Sequence, residues 1–353
     1  MVLIMYKYHL EDVEWREVYF TDVFDNIYIA KSTDQNKLKV GNIPFIGRSG
    51  INNGLQGEYF VEKEKINKGN SLTISMVGEP KCFYQKYIFT CSQNILVLQN
   101  DRFINETNSK FLIPIIDNYL KAKGYGYGYP VGKERVLRNK LLLPVDNDCQ
   151  VNWRFMERYI KERENKQRHD LKEYYKNRLL DLVICPEVLT DVEWGEFFVS
   201  DVFDTVQRGK RLTKANQIDG GIPYISSTAL NNGVDDFIGN TENVRKSNNN
   251  LTLANSGSVG ACFYHNYEYI ASDHVTSLKL LNGNDTVYKF ISVILERLEE
   301  KYSFNREIND TRIKREKLLL PIDENGDPNW TYMENFIKNI EQKQIKSILK
   351  YLD

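Results

Sequence analysis

Short apolar runs broken by Asn/Gly turns dominate the chain. Ile43–Ile46 precedes Asn52–Gly54, and Ile222–Ile225 precedes Asn231–Gly233. Runs of four to eight residues bounded by turn residues predict strands. Leu72–Val77, Ile95–Leu98, Leu251–Ala254 and Val275–Leu281 read the same way. Apolar spacing of three and four predicts helices near Phe111–Lys121 and Tyr288–Lys301. Two segments differ in kind. Residues 153–182 contain no Gly or Pro, and from Lys161 to Asp170 there is no apolar residue. Good helix formers predominate there, and a single helix of that length would span about 45 Å. Residues 330–352 carry an apolar stripe through Met333, Phe336, Ile337, Ile345 and Leu352. The polar centre of the first segment would be excluded from a globular core. The two helices are therefore expected to pair with each other or with a partner's helices; the simpler alternative folds each onto its own domain.

The chain repeats itself. DVEWREVYFTDVFD (12–25) matches DVEWGEFFVSDVFD (191–204), an offset of 191 − 12 = 179. At the same offset GNIPFIGRSGINNG (41–54) meets GGIPYISSTALNNG (220–233), and SLTIS (71–75) meets NLTLA (250–254). CFY recurs at 82–84 and 262–264, and KLLLPVDNDCQVNWRFME (140–157) meets KLLLPIDENGDPNWTYME (317–334). Five collinear blocks establish a duplication. The period is too long for a solenoid repeat, so each copy is a whole domain. The expected fold is α+β: two tandem strand-rich domains, each followed by a long helix, the helices pairing in a coiled-coil-like manner with internal pseudo-twofold symmetry. The expected boundaries are 1–152 for the first domain, 153–182 for a helical spacer, 183–329 for the second domain and 330–353 for the C-terminal helix.

Composition narrows the classes. Of 353 residues, 41% are apolar, too many for a disordered chain. The longest apolar runs, such as Phe111–Ile116, fall far short of a membrane span. The N-terminal MVLIM is too short for a signal-peptide core, and five cysteines form no disulfide framework, so a cytoplasmic location is expected. The four histidines show no metal-ligand spacing, and no GxxxxGK[ST] loop or Pro-Pro dipeptide occurs. A metal site, ATP-driven motion and an amino-methyltransferase centre are thereby disfavoured. Cys82 and Cys262 read as small buried residues, and Asn255–Gly260 (NSGSVG) as a turn. What remains looks like a binding protein.

A pair of related domains suits a ligand with its own approximate dyad, and duplex DNA is the obvious case. Thr205–Ala215 holds Arg208, Lys210, Arg211 and Lys214 with no acid. Its counterpart Ile27–Val40 holds Lys31, Lys37 and Lys39 against Asp34 alone. Polar loops follow, with Arg48, Ser49, Asn52 and Asn53 in copy one and Ser226, Ser227, Asn231 and Asn232 in copy two. Arg and Asn suit bidentate contacts with guanine and adenine edges. Arg306, Lys314 and Arg315 belong to a third basic strip. Each residue also has a plain reading as solvated surface, and Asn-Asn-Gly as an ordinary turn. Tyr125–Tyr129 (YGYGY) reads as a packed loop before a base-stacking one. The formal net charge of −1 speaks against DNA only if the chain binds DNA alone.

These residues together resemble a known family. The W-x-E-F-x-x-x-D-V-F opening (Trp194–Phe203) is followed by GKRLTK (Gly209–Lys214), I-P-Y-I-S-S-x-x-x-N-N-G (Ile222–Gly233), GSVG (Gly257–Gly260), ASD (Ala271–Asp273) and KYSFNR (Lys301–Arg306). It closes on L-L-P-I-D-x-x-G-x-P-x-W-x-Y-M-E (Leu319–Glu334). The pattern resembles the target-recognition domains of restriction–modification specificity subunits, nearest the BcgI-like type IIB group. The resemblance implies a non-catalytic S subunit that reads a bipartite asymmetric sequence in double-stranded DNA. It implies helices that dock DNA methyltransferase or fused nuclease–methyltransferase subunits. Those partners would use S-adenosylmethionine and Mg2+, and this chain would bind neither. Copy one departs from the pattern: Tyr28–Thr33 (YIAKST) stands where GKRLTK is read, Cys91, Ser92 and Gln93 replace ASD, and Gly126–Tyr129 replace Ser303–Arg306. The alternatives are the S subunit of a classical ATP-dependent type I complex and, remotely, a duplicated carbohydrate-binding protein.

Overall fold

The computed structural model describes residues 7–182, 192–281, 283–303 and 305–353. The expected start of the second domain at residue 183 lies outside the described residues, as do Met1–Met5, Asp191 and Phe304 of the segments quoted above. The chain forms two compact units, Met1–Leu171 and Lys172–Asp353. They carry the same elements in the same order.

In the first unit, β1 (Glu14–Tyr19) pairs with β9 (Lys140–Val145), so the opening and closing blocks of the repeat lie side by side. A four-stranded antiparallel sheet has the order β2-β8-β5-β6, from β2 (Asn26–Ile29), β5 (Ser71–Ser75), β6 (Cys82–Gln85) and β8 (Ile95–Gln99). The central strands β5 and β8 are buried at every position, which explains the continuous apolar run of ILVLQ; in SLTIS the alternate polar residues Ser71, Thr73 and Ser75 are buried too. A second sheet, β4-β3-β7, contains β3 (Val40–Ile46), β4 (Leu55–Tyr59) and the two-residue β7 (Thr90–Cys91), with β3 and β7 parallel. Helix α1 (Phe20–Val23) is one short turn. Helix α2 (Glu106–Ala122) lays Phe111, Leu112, Ile116 and Leu120 on the core. The short α3 (Lys133–Leu137) follows, then α4 (Trp153–Asp181).

The second unit repeats this plan. Strands β10 (Trp194–Phe198) and β19 (Lys317–Pro321) pair. The first sheet runs β11-β18-β15-β16, from β11 (Thr205–Arg208), β15 (Asn250–Ala254), β16 (Cys262–His265) and β18 (Val275–Lys279). The second runs β13-β12-β17-β14, from β12 (Asp219–Ile225), β13 (Val234–Ile238), β14 (Lys246–Ser247) and β17 (Tyr269–Ala271). Helices α5 (Val199–Val202), α6 (Asp285–Glu296), α7 (Asp310–Lys314) and α8 (Trp330–Leu352) complete it. The expected helix at Tyr288–Lys301 starts three residues earlier and ends at Glu296, and a 3-10 turn, Arg297–Glu300, follows.

The repeated motifs have structural causes. Asn152 and Asn329 cap the long helices, their side chains accepting from Phe155 N and Tyr332 N at 2.9 Å each. The closing Asn-Trp pair is thus a helix start. Asp146 and Asp323 each accept two backbone N–H bonds and shape the turn before it. The opening tryptophans stack on equivalent phenylalanines, Trp15 on Phe111 and Trp194 on Phe290, both at an interplanar angle of 19°. Cys82 and Cys262 are buried, and burial pushes both thiols well up.

Candidate nucleic-acid interface

In both units the loops around the parallel pairing gather the diverged polar residues. The pairing itself is the same: Ser92 N donates to Ile46 O and Ser272 N to Ile225 O, each at 2.9 Å. Ala30 N donates to Ile95 O at 2.8 Å, and Gly209 N to Val275 O at 2.9 Å. The next turn is Gln35–Lys37 in one unit and Lys214–Asn216 in the other. These bonds correct the register read from the sequence. The counterpart of Gly209–Lys214 is Ala30–Gln35, not Tyr28–Thr33, because the strand ends and the turns fix an offset of 179. Lys31 therefore matches Lys210, and a lysine is common to both loops.

In the first unit a polar cleft of about 840 Å³ collects Lys37 and Arg48 with Gln35, Gln56, Gln93 and Tyr127. Lys31, Lys39, Ser49, Asn52 and Asn53 lie on neighbouring loops outside its lining. Lys31 is exposed, and its backbone is clamped by Asn67, which accepts from Lys31 N and donates to Lys31 O at 2.9 Å each. Lys37 sits 3.8 Å from Asp34 and is largely exposed. Ser49 Oγ accepts from Ile51 N at 3.3 Å, closing its loop. The YGYGY segment divides: Tyr125 is buried and stacks on Tyr129, whereas Tyr127 is 83% exposed at the cleft. A packed-loop reading holds for Tyr125 only.

In the second unit a cleft of about 520 Å³ brings Arg208 and Lys314 together with Arg245. Arg208 is half-buried. Its Nε donates to Asp273 O, Arg245 donates to Arg208 O, and Glu307 stands 3.9 Å from its Nη2. Lys210 and Arg211 are exposed. Lys214 pairs with Asp236; that hydrogen bond raises the lysine and lowers the carboxylate from their ordinary ranges. Ser226 and Ser227 are half-buried on the loop after β12, where Ser227 O accepts from Ser258 N at 2.9 Å. Lys314 and Arg315 are exposed at the end of α7. Arg306 lies 5.4 Å over the ring of Tyr302, whose hydroxyl is pushed up to about 12 by burial and its bond to Glu316. Tyr125 and Tyr129 occupy the same two places in the first unit, so one unit presents a cation where the other presents an aromatic ring.

The Asn-Asn-Gly turns are left-handed throughout. Asn52, Asn53 and Gly54 have φ of 50°, 53° and 74°; Asn231, Asn232 and Gly233 have 49°, 54° and 78°. Asn tolerates this region better than other side chains, which accounts for its identity in both copies. Asn53 Nδ2 also donates to Tyr84 O at 3.0 Å.

Gln35, Gln56 and Arg245 carry no sign in the sequence pattern, Gln93 is visible there only as a departure from ASD, and Tyr127 only within the YGYGY stretch. Isolated Gln residues have no periodicity or spacing to mark them. Comparing the two copies position by position would have found three of them: Gln35, Gln56 and Gln93 face Lys214, Asp235 and Asp273. Among the described residues no cluster of three or more His, Cys, Asp or Glu side chains is placed to hold a metal ion. No helix of the described residues is long and apolar enough to cross a membrane.

Comparison with known proteins agrees with this architecture. The family description "Type I restriction modification DNA specificity domain" matches the chain twice, over residues 12–173 and 191–350. The chain is 29% identical over 338 residues to the type II restriction enzyme BcgI specificity subunit of Heyndrickxia coagulans, covering 94% of this chain and 96% of that one. Among solved structures it is similar to the S subunit of a type I restriction–modification system from M. genitalium. That match has a TM-score of 0.54 and 12% identity, covering 97% of this chain and 93% of the other, and the likeness is one of fold.

Proposed function

The chain belongs to the type I restriction modification DNA specificity domain family, with two copies of the domain, and from this we propose that it is the sequence-specific DNA-recognition subunit of a restriction–modification complex. It reads a bipartite, asymmetric site in double-stranded DNA, one half-site per unit, and positions partner subunits that carry the chemistry. The observation that carries this reading is the pairing of one scaffold with two sets of loops. The same backbone bonds hold the loops around the parallel pairing in both units, yet the places of Gln35, Arg48, Gln56 and Gln93 in the first are taken by Lys214, Ser227, Asp235 and Asp273 in the second. Two half-sites of different sequence call for such a divergence.

The partners are a DNA methyltransferase or a fused nuclease–methyltransferase, supplied with S-adenosylmethionine and Mg2+ that this chain does not bind. The nearly full-length likeness to a type II specificity subunit supports a BcgI-like system over a classical ATP-dependent type I complex. The exposed cations Lys31, Lys39, Lys210, Arg211, Arg306 and Arg315 would contact phosphates. A near-neutral chain can serve if larger partners share the phosphate neutralisation.

Genome-wide mapping of N6-methyladenine, in cells expressing the chain with the methyltransferase encoded beside it, tests this function. The expected result is one split motif with unlike halves, absent when the chain is deleted. Methylation unchanged by the deletion overturns it.

A further inference from the structure

We propose that Arg48, Gln56 and Gln93 are the base-reading side chains of the first unit; the assignment rests on the DNA-recognition reading above. The three line one cleft although they come from separate places in the fold: the loop after β3, the start of strand β4, and the link between β7 and β8. All three are exposed, and their side chains make no hydrogen bond to the described residues. Each can therefore offer its full set of donors and acceptors to a ligand.

The chemistry of the cleft selects base edges over phosphate. A phosphate track is built from cations and backbone N–H groups. This cleft instead mixes Arg48 and Lys37 with four carboxamides, Gln35, Asn36, Gln56 and Gln93, and two acids, Asp34 and Glu79. Base edges in the major groove present donors and acceptors in alternation. Gln matches adenine N6 and N7, Arg matches guanine O6 and N7, and a carboxylate accepts from cytosine N4. Tyr59 fixes one member: Gln35 Nε2 donates to its hydroxyl at 2.8 Å, leaving the Gln35 carbonyl as an acceptor.

Glycines specific to the first copy make room for these side chains. A Cβ on Gly47 would stand 2.0 Å from Gln56 Oε1, so any larger residue there would push the Gln56 carboxamide out of its present place. A Cβ on Gly57 would meet the Tyr59 ring at 2.9 Å. The second copy has Ser226 and Asp236 at these places, and Asp235 in place of Gln56. The reader and its supporting glycine have changed together.

The test is selection of bound sequences from a random duplex library by the purified complex. Gln56→Ala, Gln93→Ala, Arg48→Ser and Gly47→Ala are compared with the wild-type chain. The expected result is a loss of base preference, roughly tenfold to a hundredfold per contact, at one or two positions of a single half-site. The other half-site keeps its sequence, which also shows that the variant is folded. Gly47→Ala changes no group that faces a base, and should blur the same position as Gln56→Ala. Unchanged preference in both halves overturns the assignment, and so does equal weakening of both halves. If the wild-type complex selects no split sequence at all, it is the DNA-recognition reading that fails.

Discussion

Arg178 and Glu341, 163 residues apart, are joined by two hydrogen bonds, Nε to Oε1 at 2.6 Å and Nη2 to Oε2 at 2.9 Å. The pair ties the end of α4 to the middle of α8. Lys172 adds a bond to Asp353 at 2.9 Å, and Leu182, Ile345 and Leu352 are buried nearby in sequence. The end of α4 is thus tied to α8 by ion pairs, while α8 itself lays Met333, Phe336 and Ile337 on the core of the second unit. Arg178 is about a third exposed, so screening trims its contribution to about 1 kcal/mol. Arg178→Ala and Glu341→Ala are each expected to destabilise the second unit by that amount. A double-mutant cycle in denaturant should show the double variant losing less than the sum. Strict additivity would mean the two side chains are not coupled.

The basic strip at 208–211 divides into two kinds of residue. Arg208 is engaged with Asp273 O and stands near Glu307, whereas Lys210 and Arg211 reach solvent. Changing Lys210 and Arg211 together to Ala should weaken DNA binding by the assembled complex. It should also reduce the slope of log affinity against log salt by about 2, if each neutralises one phosphate. Thermal unfolding should be unchanged for that variant and lowered for Arg208→Ala. A salt slope equal to that of the wild type removes the two residues from the phosphate contact.

The left-handed turns give a stability test. Asn53→Ala and Asn232→Ala force a Cβ residue without local hydrogen-bonding capacity into positive φ and should cost about 1 kcal/mol each. Asn53→Gly and Asn232→Gly should cost less, since glycine adopts that region freely. Chemical denaturation measures the difference. Equal losses for Ala and Gly would locate the asparagine's value in its side chain instead, for which the Asn53 bond to Tyr84 O is the candidate.

The pattern of the chain carried much of this fold, and its failures have physical causes. Strand β8 lies at the centre of a sheet, and its apolar run ILVL declares it, whereas β5 shows itself by strict alternation, SLTIS. The Asn-Trp start of each long helix is visible because a cap needs a particular residue at a particular place. The strand β7 has two residues and pairs in parallel with β3, some 45 positions earlier in sequence; no local periodicity announces such a pairing. The register slip at Ala30–Gln35 arose because YIAKST and AKSTDQ resemble GKRLTK about equally when side chains alone are compared. The cleft was missed for a related reason. Gln35, Arg48 and Gln93 come from three connections and Gln56 from β4, so they meet only after the sheet has formed, and a carboxamide has no sequence signature of its own.

Both units bury a polar pair between β-strands, and the second makes it titratable. Gln85 Nε2 donates to Thr73 Oγ1 at 3.0 Å in the first unit. In the second, His265 stands at the equivalent place, with Nε2 2.8 Å from Thr252 Oγ1 and Nδ1 3.0 Å from Tyr267 OH. Burial lowers its pKa from 6.5 to about 4. Between those values the unfolded chain binds a proton that the folded chain refuses, so stability rises with pH across this window. The contribution is complete above pH 6.5 and is lost as the pH falls toward 4, amounting to about 3 kcal/mol. His265→Gln copies the first unit's solution and removes the titration. Its melting temperature should therefore fall less steeply than that of the wild type between pH 6.5 and 4. Parallel curves for the two proteins would assign the acid sensitivity of the second unit to other groups.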